Sequence, residues 1–215
     1  MVAQVAETAM AREIAEIPAG AARLLQKRTE FQNIAEKIRA RRPRVVAVCG
    51  RGSSGHVGVY LRYLFETQLR LLVSSAAPSV VTAYRRPPDM SDALFVLISQ
   101  SGRSPDLVMA TQGARSAGAL TLAVVNDVTS PAAATADFVL PIEAGPEKAV
   151  AATKTVALSM VAIALLAAAL TQDTELEKAL ERLPDRLQKA LTCDWSSWGN
   201  CVGDTRAAFV AARGY

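Results

Sequence analysis

Residues 45–56 read VVAVCGRGSSGH, an apolar, β-branched run that ends in a turn rich in glycine and serine. The run suits a strand buried on both faces, and the turn stops it where a helix can begin. Gly50, Gly52 and Gly55 satisfy G-x-G-x-x-G, the pattern that lets a backbone approach the pyrophosphate of a dinucleotide. That reading requires an acidic residue about 20 positions further on, at the end of a second strand, to hold ribose hydroxyls. The sequence there is LLVSSA (71–76), with serine where the acid belongs, Glu66 earlier and Asp89 well beyond. The glycines therefore argue for a phosphate loop of another kind.

Outward from this turn the pattern recurs. Short β-branched runs stand at LLV (71–73), LFVLI (94–98), LTLAVV (120–125) and FVL (138–140), separated by stretches read as helical. Continuous apolar strands alternating with helices predict a parallel sheet covered on both faces. Five of them predict an open, doubly wound α/β domain in the flavodoxin-like order 2-1-3-4-5. Ahead of it, residues 7–41 carry a helical period, with Met10, Ile14 and Ile17 on one face, then Leu24, Leu25, Phe31, Ile34 and Ile38. Pro18 fits a first helical turn, and Pro43 ends the last helix. Arg39, Arg41, Arg42 and Arg44 read as a solvated helix end beside its carbonyl dipoles. The expected division is helices over 1–43, the α/β domain over 44–172, and a helical linker with the start of a second such domain over 173–215.

Composition narrows the class. The chain has 215 residues, half of them apolar, and its formal charge of +4 suits an anionic small ligand as well as a polyanion. Cys49, Cys193 and Cys201 are odd in number, lack metal-ligand spacing and share the chain with a single histidine, so reduced thiols, no metal and a cytoplasmic setting are expected. The run from Val156 to Leu170 is shorter than the roughly 20 residues a bilayer requires and is flanked by Lys154 and Asp173. It reads as a buried helix, and no membrane partner is expected. The basic cluster leads into a strand instead of forming a recognition helix, so no nucleic acid is expected either.

A second loop carries more chemistry. LFVLISQSGRSPDLV (94–108) sets Ser99, Gln100, Ser101 and Ser104 around Gly102, just before a helix that Pro105 can open. Ser104 is then the expected N-cap. A helix N-terminus presents unpaired N–H groups and a positive dipole end, and hydroxyls beside it orient a phosphate without the desolvation cost of added charge. In the order 2-1-3-4-5, strands one and three are neighbours whose carboxyl-end loops splay into a crevice. GRGSS follows the first and SQSGRS the third, so Ser53 or Ser54 shares a target with Ser99, Gln100, Ser101 and Ser104. Arg103 is read as exposed, with charge to lend.

These residues resemble the sugar isomerase (SIS) domain of aldose–ketose sugar-phosphate enzymes. Four stretches carry the resemblance: MAREIAEIP (10–18), GRGSSGH (50–56), SQSGRS (99–104) and AGPEKAVAATKT (144–155). It implies Ser54, Ser99, Gln100, Ser101 and Ser104 as phosphate ligands, and Val150, Ala152 and Lys154 beside the sugar. The family's SQSGET is here SQSGRS, which keeps a hydroxyl at Ser104; its VASTK is here VAATK, which loses one at Ala152. The glutaminase portion of the family's synthases is not matched by the 44 residues ahead of the first strand, so the resemblance favours a glucosamine-6-phosphate deaminase or a sugar-phosphate isomerase. A sugar-phosphate sensor without catalysis is the rival. No cofactor is implied, and pairing into a homodimer is expected.

Aldose–ketose chemistry needs a base, a ring-opening acid and stabilisation of enediol-like charge. The family draws these from a second SIS domain and a C-terminal tail. AAFVAARGY (207–215) reads as the opening strand and turn of such a domain, so the catalytic groups are expected beyond it. Glu147 is the one weak catalytic candidate here. His56 is expected to pack or hydrogen-bond at the start of a helix.

Overall fold

Each apolar run assigned to a strand forms one. The computed structural model describes residues 8–203 and 205–207; all but the first residue of AAFVAARGY lies outside them. The strands are Val45–Cys49 (β1), Leu72–Ser75 (β2), Ala93–Ser99 (β3), Leu120–Val125 (β4) and Phe138–Pro141 (β5). They form one parallel sheet in the order β2-β1-β3-β4-β5, with Val45 beside both Leu72 and Ala93. The doubly wound reading is therefore correct, and β1 and β3 are the neighbours from which the chain winds in opposite directions.

Helices Ala9–Ala15 (α1), Ile17–Gln26 (α2) and Arg28–Arg41 (α3) precede the sheet. Ser53–Gln68 (α4), Pro78–Thr82 (α5), Pro105–Ser116 (α6) and Pro131–Thr135 (α7) connect its strands. Lys154–Thr171 (α8), Thr174–Glu181 (α9), Leu183–Leu191 (α10) and Ser196–Gly203 (α11) follow it. The β2–β3 connection, read as helical, is helical only over the five residues of α5. Pro87 and Pro88 lack N–H donors, so no helix continues through that stretch.

Alternation along the strands sorts the core into two layers. Val46, Val48, Leu94, Val96, Ile98, Leu122, Val124 and Leu140 pack toward α3, α4 and α8; Ala47, Cys49, Phe95 and Leu97 pack toward α6 and α7. Fully burying each large side chain, such as Phe31, Phe65 or Phe95, contributes roughly 1.5–3 kcal/mol. The apolar run 156–170 is the centre of α8, 14 of whose 18 residues are buried. It lies among α2, α3 and α4, a core helix as its length implied. Beyond it Leu180 is buried, and Leu176, Leu183 and Leu187 pack on the same core.

The basic cluster behaves less uniformly than expected. Arg41, Arg42 and Arg44 are exposed, but Arg39 is half-buried, and its Nη1 donates to the carbonyl of Ala169 at 2.5 Å. It thereby satisfies a carbonyl in the last turn of α8, where a cation also favours the dipole.

Candidate functional site: the crevice between the first and third strands

Both hydroxyl-bearing loops emerge at the carboxyl edge of the sheet from strands in direct register, with Cys49 beside Leu97. Across the gap, Arg51 of the first loop forms an ion pair with Asp106 in the first turn of α6. The loops after β1 and β3 therefore converge. On the far side Arg103 pairs with Asp127 at 2.7 Å. Hydrogen bonds to Thr129, and next the Arg103 guanidinium, hold the Asp127 carboxyl below its usual range, so it stays ionised beside the arginine. Each rim arginine thus has its charge matched by a neighbouring aspartate.

Within the turn the serines divide by role. Ser99 is buried, and its Oγ accepts from the Gly102 N–H at 3.1 Å, which closes the turn. Ser101 Oγ accepts from the Arg103 N–H at 3.3 Å and keeps its own proton to donate. Ser104 occupies the N-cap position as read, but its hydroxyl makes no cap bond. Pro105 has no N–H, and the Leu107 N–H is already taken by the Ser104 carbonyl at 3.1 Å. That leaves the Ser104 hydroxyl unspent. Ser53 and Ser54 lie half-buried in the first turn of α4, and the Gln100 amide is exposed; none of the three side chains is hydrogen-bonded to a described residue.

The remaining candidates fall elsewhere. Lys154, expected beside the sugar, is 1% exposed and its ammonium sits 2.6 Å from Glu16, so it lends no charge to the crevice. Glu147 Oε1 accepts from the N–H groups of Thr153 (3.0 Å) and Thr155 (3.3 Å), and Oε2 from the Thr155 hydroxyl (2.5 Å). It caps the N-terminus of α8, where a carboxylate complements the dipole, and forms no salt bridge with a described residue. Val150 is 94% exposed and Ala152 half-buried. His56, expected to pack or hydrogen-bond, is exposed on α4. Cys49 ends β1 beneath the crevice, its thiol pushed up to about 11 by burial and then by the charge of Asp106. Among the described residues no three His, Cys, Asp or Glu side chains gather to hold a metal ion.

Sequence reasoning passed over two features of this edge. The Arg51–Asp106 pair joins residues 55 positions apart and has no local signature. Asn126, at the end of β4, was more legible, as a lone amide in a strand-ending turn. Its N–H donates to the Gln100 carbonyl (3.1 Å), its Nδ2 to the Gly145 carbonyl (2.7 Å), and its Oδ1 accepts from Ala144 (2.9 Å). One residue thus links the two loops, its backbone N–H to the loop after β3 and its side chain to the loop after β5.

Sheet order and loop chemistry together define an α/β domain with a hydroxyl-lined crevice at its topological switch point. The chain belongs to the SIS domain family, whose model matches residues 40–169. The glutamine–fructose-6-phosphate aminotransferase (isomerizing) of Symbiobacterium thermophilum is 38% identical over 169 residues, 74% of this chain and 27% of that protein. The enzyme of the same name from Pseudomonas putida is 33% identical over 86% of this chain and 33% of its own length. A provisionally named phosphosugar isomerase from Silicibacter pomeroyi DSS-3 superposes with a TM-score of 0.88 at 42% identity, over 91% of this chain and 60% of that one. The chain thus spans about a quarter to a third of these aminotransferases. Vibrio vulnificus NanR, solved with ManNAc-6P, shares the fold alone, with a TM-score of 0.58 and 16% identity over 84% of this chain and 70% of its own.

Proposed function

We propose that this domain holds the phosphoryl group of a hexose 6-phosphate between the loops after β1 and β3, and that the whole protein acts on an amino sugar phosphate. The observation that carries the reading is the set of unspent donors at one sheet edge: Ser53, Ser54, Gln100, Ser101 and Ser104, at the N-termini of α4 and α6. Hydroxyl and backbone N–H donors bind a dianion while the arginines nearby stay paired with Asp106 and Asp127. Ser99 contributes by holding the turn, and Ser54, the family's loop-one ligand, by donating from the opposite side. The sugar ring then extends toward Val150 and Ala152, in the loop that Asn126 ties to the phosphate turn.

The reaction proposed is glucosamine 6-phosphate plus water to fructose 6-phosphate plus ammonia, or the related aldose–ketose isomerisation. In this domain Glu147 and Lys154 are spent on structure, so the proton shuttle comes from groups outside the crevice. That same fact favours the rival reading, a sugar-phosphate sensor that binds without turnover. Ammonia release from glucosamine 6-phosphate by the intact protein separates the two. Release supports the deaminase; binding without release of ammonia or formation of an isomer leaves the sensor. Ser101→Ala with Ser104→Ala is expected to weaken binding by roughly 2–4 kcal/mol, about 1–2 per donor. Unchanged affinity by calorimetry removes the phosphate assignment.

A further inference from the structure

The motif MAREIAEIP, at the far end of the chain from the crevice loops, has no part in the phosphate turn, yet its two glutamates do specific work. Glu13, on α1, is 7% exposed. Its Oε1 accepts from the Lys148 N–H at 2.6 Å, and its Oε2 from the Ala149 N–H at 3.1 Å. Hydrogen bonding from Lys148 holds the carboxyl below its ordinary range, so it is an anion receiving two peptide donors. Glu16, between α1 and α2, takes the Lys154 ammonium at 2.6 Å. The two carboxylates therefore pin residues 148–149 and 154. Between them lies Val150–Thr153, and Glu147 fixes its last N–H from within. Val150 and Ala151 of the pinned segment are exposed while Ala152 and Thr153 are half-buried, and Asn126 joins the loop ahead of it to the turn after β3.

We propose that Glu13 is a positioning residue for sugar recognition: clasped by its carboxylate and buttressed by Glu16, segment 150–153 is held in the shape that meets the hexose, while the phosphoryl grip is independent of it. This rests on the reading of the crevice as a hexose-phosphate site. The clasp joins residues 135 and 136 positions apart, so it sets the loop by tertiary contact and not by local preference.

The test is Glu13→Gln in the intact protein, titrated by calorimetry with fructose 6-phosphate and, separately, with inorganic phosphate. The glutamine keeps the shape, but its amide has a single acceptor oxygen for the two N–H groups and carries no charge. The expected result is affinity for fructose 6-phosphate lower by about tenfold or more, with inorganic phosphate unchanged and the Lys148 and Ala149 amides exchanging faster. Glu13→Asp, which keeps the charge but withdraws it by one methylene, is expected to fall between, and gives the same comparison if the glutamine variant does not fold. Equal loss for both ligands makes Glu13 a general fold determinant and overturns the proposal, as does no loss for either. Failure of the wild-type protein to bind fructose 6-phosphate would instead overturn the reading of the crevice.

Discussion

Replacing Gly102 by alanine strikes the turn between β3 and α6 in two ways. Gly102 has φ +61°, where an L side chain costs roughly 1–2 kcal/mol. An added Cβ would also lie 2.2 Å from Ser130 Oγ and 2.7 Å from Ser130 Cβ. Ser130 is fully buried and its Oγ caps α7 through the Ala133 N–H, so it cannot retreat freely. Overpacking of this kind adds roughly 1–3 kcal/mol. The total expected loss is roughly 2–5 kcal/mol, a large share of the stability of an ordinary domain. Gly145→Ala supplies the control, because Gly145 has φ +66° but nothing within 4 Å of its would-be Cβ. It should lose only the conformational part, roughly 1–2 kcal/mol. Urea unfolding read by circular dichroism measures both, with midpoints compared at constant slope. If Gly102→Ala costs no more than Gly145→Ala, the turn is not pinned against the loop after β4, and the argument for its fixed geometry fails. Binding of fructose 6-phosphate should fall more in the Gly102 variant, since its N–H closes the turn onto Ser99.

Other consequences are simpler to check. Iodoacetamide at pH 8 should label exposed Cys193 and Cys201 and spare Cys49, buried and with its thiol near 11; mass spectrometry of the peptides decides it. Leu158→Ala, fully buried in α8, should lose roughly 2–5 kcal/mol in denaturant. Asp106→Asn frees Arg51 and removes a negative charge beside the crevice; hexose-phosphate affinity should rise a few-fold and become more salt-dependent, with stability changed by no more than about 1 kcal/mol. The Lys148 N–H hydrogen bond holds the folded Glu13 carboxyl below its ordinary range, so its clasp is fully present above the unfolded value and is lost as pH falls through the depressed one; the Lys148 and Ala149 amide shifts should titrate below the ordinary carboxylate range.

The sheet was legible because strands buried on both faces have to be continuous apolar runs, and LFVLI and LTLAVV are nothing else. The polar turn after β3 stood out for a related reason: four polar side chains crowded before a proline exceed what one helix cap needs. Ser104 shows the limit of that logic, since an N-cap position does not guarantee a cap bond when the N–H groups are absent or taken. The partners of Lys154 and Glu147 were not legible because they are set by tertiary structure. Glu16 lies 138 residues from Lys154, and no local pattern connects them. Glu147, six and eight residues ahead of its partners Thr153 and Thr155, was closer to hand, but only the folded loop turns its carboxylate onto α8.

A second cavity competes with the crevice as the seat of a hexose phosphate. Between α5 and the β1–β2–β3 face lies a largely apolar pocket of about 340 Å³, lined by Val45, Ala47, Val80, Val81, Met90 and Phe95, among others, and by none of the crevice serines. Titrating the ¹⁵N-labelled protein with glucosamine 6-phosphate and following backbone amide shifts tells the two apart. Saturable shifts are expected at residues 51–54 and 100–104, with unphosphorylated glucosamine producing none. Shifts gathered instead around Val80, Val81 and Met90, or matched by the unphosphorylated sugar, would contradict it.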